Sequence, residues 1–493
     1  MPPNPIPPIP SAFLERMARL LGDEYAAFAA ALEQAPVSGL RVNTLKLTPQ
    51  EFRSISPFKL GETVPWCDSA FLFPPSDASP GLHPYHSAGL YYLQDPSAMS
   101  PAELLGPQPG ERVLDLAAAP GGKTTHMAAL MQGKGLLVAN EIKDKRVGHL
   151  AVNVERWGAG NVVITNETPE RLADHFGGFF DRVLVDAPCS GEGMFRKDMG
   201  ARRDWSLEMV AGCAVRQRNI LRVAAKLVRP GGYLLYSTCT FAPEEDEQVI
   251  NGLLNGHPWR AGDRQTDSNE PGGFEVVALP QLPGFMSGRP DWMEPGSNTQ
   301  GNMVEGAVRL FPHRINGEGH FVCLLQRTGA TDPMAPHRVN ADRLANPSTP
   351  QERLWQTFAS EVLTTSFDAQ RLRVRAERLY FVPEELPDFG NPSAGSGPGL
   401  RVLHPGVWLG TFKKERFEPA HPLALFLSRR QAGNVLDLPA SSRELAAYLR
   451  GESLPAGGPS GWTLVTVDGW PLGWGKRVQS IVKNHYPRGW SVS

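Results

Sequence analysis

Cysteine is scarce and never closely spaced in this chain: there are five cysteines in 493 residues and no CxxC pair. This pattern argues against a disulfide scaffold and against a zinc site, so we expect a cytoplasmic protein without a metal. Long apolar runs are missing too. None approaches the roughly 20 residues that cross a bilayer, and we expect no membrane contact. The first ten residues contain six prolines and no basic residue, which is not the pattern of a signal peptide.

The chain as a whole also lacks an excess of either charge, because its formal net charge is −2. The distribution is less even: residues 401–493 contain twelve Lys and Arg against six Asp and Glu. A basic module attached to a mildly acidic body is typical of a protein that holds a polyanion. An ordinary solvated surface gives the same counts, so charge alone does not separate the two interpretations.

Residues 1–94 predict a small α+β module. Apolar residues of the segment 11–35 recur on one face, which predicts a helix, and Gly39–Leu47 alternates as a strand does. Thr48 followed by Pro49 has the pattern of a helix start.

From residue 95 to 328, short apolar strands alternate with helices, which predicts a parallel sheet covered on both faces. We expect a doubly wound, Rossmann-like α/β domain with its binding site at the carboxyl ends of the strands. A linker and accessory region, 329–398, and a β-rich domain, 399–493, are predicted to follow. The predicted strands of the central domain are Arg112–Ala117, Leu136–Asn140, Val162–Thr165, Arg182–Val185, Tyr233–Ser237 and His320–Leu325.

A glycine turn, Pro120-Gly121-Gly122, follows the first of these strands. Two phosphate-binding motifs do not fit it: a Walker A loop needs glycine where Ala117 stands, and GxGxxG is absent. The remaining candidate ligand is S-adenosylmethionine, whose methionine part would contact the turn. Glu141, directly after the second strand, would then accept hydrogen bonds from the ribose hydroxyls. A tight strand-to-helix turn without any ligand is the alternative.

Two cysteines also follow predicted strands. Cys189 comes after the fourth strand, close to Asp186, and Cys239 comes after the fifth. Because the carboxyl ends of parallel strands meet at one edge of a sheet, we expect both thiols on loops that face the glycine turn. The other cysteines are predicted to have no chemical role: Cys213 in a helix, Cys323 in a buried strand and Cys67 in an N-terminal loop.

Methyl transfer to a pyrimidine carbon needs this combination of groups. Carbon 5 of cytosine is too electron-poor to attack a methyl sulfonium until a thiolate adds at carbon 6. Asp186, protonated or hydrogen-bonded, would stabilise the adduct near N3 and the amino group. Lys123 would lower the thiol pKa or hold the base. A second cysteine would assist loss of the carbon-5 proton, so that the thiolate can be eliminated.

Three motifs resemble those of the Nol/Nop/Sun family of RNA 5-methylcytosine methyltransferases, in that family's order and at its separations: Ala119–Thr124, Asp186–Gly191 and Ser237–Thr240. The resemblance implies that Cys239 is the nucleophile and that Cys189 promotes product release. It also implies that Asp186 and Lys123 contact the target cytosine. The residues implied to bind S-adenosylmethionine are Ala117, Ala118, Ala119, Pro120, Gly121, Gly122, Lys123, Glu141, Thr168 and Asp186.

Tyr91–Met99 resembles the entry segment that precedes the catalytic domain in this family, and Gly193–Lys197 fits the branch that acts on bacterial small-subunit ribosomal RNA. Lys413–Pro419 and Gly469–Arg477 resemble the C-terminal PUA-like module of the F type of that branch. The resemblance implies that residues 1–94 bind RNA and that the basic tail holds RNA backbone through Trp408, Lys413, Lys414, Lys476 and Arg477. One position departs from the family: Thr168 stands where many relatives have an aspartate near the adenine, and it would bond through its hydroxyl.

The resulting hypothesis is a monomeric enzyme that methylates cytosine C5 in small-subunit (16S) ribosomal RNA, free or in the small ribosomal subunit. The target base has to be splayed out, because carbon 6 must be reached by Cys239. A transfer RNA methyltransferase is the second hypothesis, and no residue excludes it. The third is a non-catalytic RNA-binding factor for ribosome assembly. The sequence does not identify the target nucleotide or the number of target sites.

Overall fold

The computed structural model of the protein describes residues 7–74, 79–255, 273–293, 301–329, 344–387 and 399–490. Parts of the predicted linker region, 330–343 and 388–398, therefore lie outside the described residues. The strands within these ranges assemble into four sheets. Across the same ranges, no helix combines the length and the apolar character that crossing a bilayer requires.

The N-terminal part of the chain has α1 (Ser11–Leu21), α2 (Tyr25–Leu32), β1 (Ser38–Val42), α3 (Pro49–Ile55), β2 (Thr63–Val64), β3 (Cys67–Phe73), α4 (Pro84–Ser87) and β4 (Tyr91–Gln94). Its strands form one antiparallel sheet in the order β2-β3-β1-β4. The predicted helix start at Thr48 is confirmed, because the Thr48 hydroxyl accepts from the Glu51 N–H and the Glu51 carboxylate accepts from the Thr48 N–H. Cys67 begins β3, so its prediction as a loop residue is wrong.

The central part has α5 (Ser100–Leu105), β5 (Arg112–Asp115), α6 (Gly122–Leu130), β6 (Leu136–Asn140), α7 (Asp144–Trp157), β7 (Val162–Thr165), α8 (Pro169–Phe176), β8 (Phe180–Asp186), α9 (Met199–Asp204), α10 (Leu207–Leu227), β9 (Val228–Thr238), α11 (Glu247–Leu254), β10 (Phe274–Val277), β11 (Phe285–Ser287), β12 (Val308–Leu310) and β13 (His320–Arg327). Five strands run parallel in the order β7-β6-β5-β8-β9, which confirms the predicted Rossmann-like core. β13 extends the sheet beyond β9 and pairs antiparallel with it. β12 and β10 each pair antiparallel with β13. The interior of this sheet is apolar on both faces.

The C-terminal part has α12 (Thr349–Val362), β14 (Leu372–Arg375), β15 (Arg378–Phe381), β16 (Val402–His404), β17 (Val407–Lys413), β18 (Arg416–Pro419), α13 (His421–Phe426), β19 (Val435–Leu438), α14 (Arg443–Leu449), β20 (Leu454–Pro455), β21 (Gly461–Val467), β22 (Trp470–Val478) and β23 (Ile481–Asn484). One sheet has the order β14-β15-β17-β18 and the other β19-β21-β22-β23-β20. In the first sheet, β14 and β15 precede the boundary predicted at residue 398, whereas β17 and β18 follow it. The division of the chain into four parts stays a prediction. β16 leaves this region and pairs with β7 of the central sheet.

The N-terminal and C-terminal sheets share one apolar core, and the Tyr85 hydroxyl donates to the Asp468 carboxylate at 2.9 Å across it. Arg477 is 3% exposed and donates to the Pro459 carbonyl, so the expectation that it holds RNA is wrong. Lys476 remains partly exposed, with its ammonium 5.4 Å from the centre of the Trp462 ring.

Candidate active site

The glycine turn links β5 to α6 at the carboxyl edge of the parallel strands. Gly121 has a φ of +109°, a conformation that glycine adopts far more readily than other residues. A Cβ at Gly121 would lie 3.2 Å from Leu150 Cδ1. The peptide bond between Ala119 and Pro120 is cis. The turn is tied to the next strand because the Ala118 N–H donates to the Asn140 carbonyl at 2.7 Å.

Glu141 lies beside this turn and is almost fully buried, with 2% exposure. Its Oε1 accepts from the Lys143 N–H at 2.9 Å. Its Oε2 lies 3.2 Å from Arg146 Nη1 but has no hydrogen-bond partner among the described residues. Arg146 also donates to the Ala119 carbonyl, so one side chain connects Glu141 to the glycine turn. Sequence reasoning did not find Arg146.

Asp115, the last residue of β5, is a second buried carboxyl group at this edge and was also missed. Its Oδ2 accepts from the Thr124 hydroxyl at 2.6 Å, whereas Oδ1 has no partner in the described part of the chain. Burial raises the pKa of Asp115 to about 7, and the negative charge of Asp186 acts in the same direction. Its position at a strand end, just before a glycine turn, was the available signal.

These observations fit an adenosyl group with an amino-acid tail. Two buried carboxyl oxygens that accept no hydrogen bond from the described residues, Glu141 Oε2 and Asp115 Oδ1, flank a turn of small residues that leads into a helix N-terminus. Thr168 caps α8, its hydroxyl oxygen accepting from the Arg171 N–H at 3.3 Å. Its contact with the adenine stays a prediction, as do the contacts expected of residues 117–122.

Asp115→Asn is expected to change how stability depends on pH. Because the pKa of Asp115 is raised in the folded protein, the folded state binds this proton more tightly than the unfolded state, and stability falls as pH rises from about 4 to 7. Asparagine does not titrate, so the variant lacks this fall in stability between pH 4 and pH 7. Without added ligand, the free energy of unfolding of the variant relative to wild type should rise by about 2–4 kcal/mol between pH 4 and pH 8 in urea titrations. Parallel pH profiles for the two proteins would contradict this assignment.

Lys123 and Asp186 form a partly buried ion pair next to the turn. Lys123 Nζ donates to Asp186 Oδ2 at 2.7 Å, and the Ser237 hydroxyl donates to Oδ1 at 2.9 Å. Burial alone would raise the pKa of Asp186, but the Lys123 charge and these hydrogen bonds hold it below its usual value. Of the two forms considered from the sequence, Asp186 is therefore the hydrogen-bonded carboxylate and accepts rather than donates.

The two strand-end cysteines lie side by side, with Cys189 Sγ 3.2 Å from Cys239 Sγ, and both are partly exposed. The hydrogen bond to Cys239, together with burial, raises the pKa of Cys189 well above its ordinary value. Cys189 is therefore a thiol. The structure thus brings together Lys123, Asp186, Cys189 and Cys239, although it does not by itself test their roles.

Two buried glutamates fix the cysteine loops to each other, and sequence reasoning missed both. The Ser190 N–H and hydroxyl donate to Glu245, which lies on the loop after Cys239. Conversely, the Glu192 carboxylate on the loop after Cys189 accepts from the Phe241 N–H on the loop after Cys239, at 3.0 Å. Burial raises the pKa of Glu245 to about 7. Each cysteine loop thus holds the other through a buried glutamate, and these contacts fix the separation of the two sulfur atoms.

Cys67, Glu103 and His126 have the spacing of metal ligands within the described ranges. Their contacts are those of hydrogen bonds: His126 Nε2 lies 2.9 Å from Glu103 Oε1 and 3.7 Å from Cys67 Sγ. Burial raises the pKa of Cys67 to about 12, so it is a thiol. A buried Arg41 guanidinium adds a positive charge nearby. This cluster joins β3, α5 and α6, and the absence of a metal stays a prediction.

Four family models match successive parts of the chain. The central match is to 16S rRNA methyltransferase RsmB/F, over residues 102–326. The others are to the N-terminal domain of 16S rRNA methyltransferase RsmF over 9–96, the RsmF rRNA methyltransferase first C-terminal domain over 357–427 and the methyltransferase RsmF PUA domain over 435–491.

Whole-chain relatives agree with these models. Ribosomal RNA small subunit methyltransferase F of Erwinia tasmaniensis is 32% identical, over 97% of this chain and 96% of the relative. The protein of the same name from Klebsiella pneumoniae is 34% identical over the same shares. A crystal structure of a methyltransferase homolog protein from Pyrococcus horikoshii superposes with a TM-score of 0.52 at 26% identity, over 65% of this chain and all of that one. The chain therefore belongs to the 16S rRNA methyltransferase F family, whose members combine a Rossmann-like methyltransferase domain with a C-terminal PUA domain.

Proposed function

We propose that this protein methylates carbon 5 of a cytosine in small-subunit (16S) ribosomal RNA, with S-adenosylmethionine as methyl donor, through a transient bond between Cys239 Sγ and carbon 6. The observation that carries the proposal is the pair of sulfur atoms 3.2 Å apart, beside the Lys123–Asp186 ion pair. A structural role alone does not account for two partly exposed cysteines on adjacent strand-end loops next to a partly buried ion pair.

Cys239 begins the reaction as the nucleophile. The Sγ–C6 bond forms, the C5=C6 electron pair moves to carbon 5, and carbon 5 becomes nucleophilic. S-adenosylmethionine supplies the electrophilic methyl group, held by the glycine turn, Glu141 and Asp115. Lys123 keeps a positive charge close to Cys239 and to the bound base. The Asp186 carboxylate accepts a hydrogen bond from the amino group of the base.

Cys189 completes the reaction as a base. In the free protein, the hydrogen bond to Cys239 and burial raise the pKa of Cys189. Bond formation between Cys239 and carbon 6 removes that hydrogen bond, and Cys189, which is partly exposed, releases its own proton to solvent. Its thiolate then takes the carbon-5 proton, the electron pair of the C5–H bond reforms C5=C6, and Cys239 leaves as a thiolate. The contact between the two sulfurs therefore orders the two steps.

Ribosomal RNA is favoured over transfer RNA by the names of the relatives, which are small-subunit methyltransferases along their whole length. The match to a PUA domain supports contact with structured RNA. A non-catalytic assembly role is disfavoured because none of the four residues that the chemistry requires has been lost.

Bisulfite sequencing of ribosomal and transfer RNA tests the proposal, in a host strain with and without this gene. We expect one or more cytosines of 16S ribosomal RNA to lose protection in the deletion strain. The purified full-length protein should then restore 5-methylcytosine there, with methyl groups from tritiated S-adenosylmethionine. Loss of protection in transfer RNA only would favour the second hypothesis. No change in any RNA, and no transfer by the purified protein, would favour the third.

A further inference from the structure

A buried histidine lies at the edge of the catalytic group and has no place in the mechanism above. His320 begins β13, which runs antiparallel to β9 with Phe321 opposite Thr238. The next position along this register places His320 across from Cys239. His320 is 3% exposed, and its ring lies close enough to Lys123 and Asp186 to feel both charges.

The protonation pattern of His320 is set by Ser97 and Asp95. The Asp95 carboxylate is ion-paired with Lys197 and accepts the Ser97 hydroxyl hydrogen at 2.5 Å. Asp95 also accepts the Ser97 and Glu318 backbone N–H groups, so it acts only as an acceptor. Because the Ser97 hydrogen is used in this way, the Ser97 oxygen has to accept from His320 Nδ1, 2.9 Å away. Nδ1 therefore carries the proton, and Nε2 carries the lone pair. The ring also forms a hydrogen bond with the Gly319 backbone, which fits a protonated Nδ1 as donor.

A fixed acceptor at this place distinguishes cytosine from uracil. Cytosine presents an amino group at carbon 4, a hydrogen-bond donor, whereas uracil presents an oxygen, an acceptor. If uracil were bound, its carbon-4 oxygen would face the acceptor nitrogen of the histidine, and neither atom would have a hydrogen-bond donor, which costs binding free energy. We infer that His320 Nε2 accepts a hydrogen bond from the amino group of the target cytosine and, with Asp95 and Ser97 as positioning residues, excludes uracil. This inference rests on the proposed function.

His320→Gln is the first test variant, because its amide can present either an oxygen or an NH₂ group. The probes are two full-length 16S ribosomal RNA transcripts with C or U at the nucleotide mapped by bisulfite sequencing. On the C transcript we expect kcat/KM to fall about 5- to 100-fold. On the U transcript kcat/KM should rise or stay constant, so that the ratio of kcat/KM for C to that for U falls at least about fivefold. His313→Gln is the matched control, since His313 contacts Glu24 instead, and its preference should equal that of wild type.

Ser97→Ala is the second variant and covers the case in which His320→Gln fails to fold. It keeps the imidazole but removes the group that fixes the proton on Nδ1, so the preference should narrow less than in His320→Gln. Equal losses on both transcripts, or an unchanged preference in each variant that folds, would overturn the inference and leave His320 a structural role. That result is distinct from failure of the proposed function, in which wild type itself would methylate neither transcript.

Discussion

Cys239→Ala should lose methyl transfer by at least about 10⁴-fold in kcat while remaining folded. The loss is large because the thiolate supplies the bond that makes carbon 5 reactive, and no hydrogen bond replaces a covalent one. Stability should change little, since the thiol is partly exposed and is not packed in the apolar core. Tritium incorporation into 16S ribosomal RNA measures the loss of methyl transfer, and thermal unfolding measures the stability of the variant.

Cys189→Ala should behave differently, because attack and methyl transfer precede the step that needs it. We expect a covalent protein–RNA adduct that survives denaturing electrophoresis, and the adduct should be absent from the Cys189→Ala/Cys239→Ala double variant. Cys213→Ala is a matched control, since Cys213 lies within α10 and is buried. Full activity in Cys239→Ala would contradict the mechanism. Rapid turnover by Cys189→Ala would contradict only the role given to Cys189.

The position of the active site could be predicted from sequence because parallel strands impose it. Once β8 and β9 were identified as short apolar strands, the loops after them had to meet at one edge, whatever their sequence separation. Cys189 and Cys239 are 50 residues apart and yet in contact for this reason. The same reasoning placed Glu141 beside the glycine turn.

The partners that hold these groups could not be predicted, because they depend on the register of elements far apart in the chain. Ser97 and His320 are 223 residues apart, and their contact requires the antiparallel β13, which the sequence pattern did not distinguish from a parallel strand. The burial of Arg477 likewise depends on the path of the Pro459 loop. Local patterns give strands and turns, whereas the orientation of an added strand follows from packing.

Arg309→Met is expected to be the most destabilising single substitution considered for this protein. Arg309, on β12, is 1% exposed and contacts two fully buried carboxylates: its Nε donates to Glu247 at 2.7 Å, and its Nη2 lies 3.1 Å from Asp246. Its Nη1 donates to the carbonyl of Phe241, two residues after Cys239. Methionine has a similar volume but leaves two buried carboxyl groups without their cation. The loss should be about 3–5 kcal/mol in the free energy of unfolding.

The effect of Arg309→Met should also depend on pH with a definite sign. Burial raises the pKa of Asp246, and the charge of Arg309 opposes this shift. Without Arg309 that pKa rises further, so stability is lost as pH rises, and the variant should recover part of its deficit at pH 5 relative to pH 8. Urea titrations at the two pH values measure this. Arg203→Met is the matched control, because its pair with Asp204 is on the surface and should contribute nothing measurable. Equal deficits for Arg309→Met at both pH values would show that lost packing, rather than uncompensated charge, destabilises the variant.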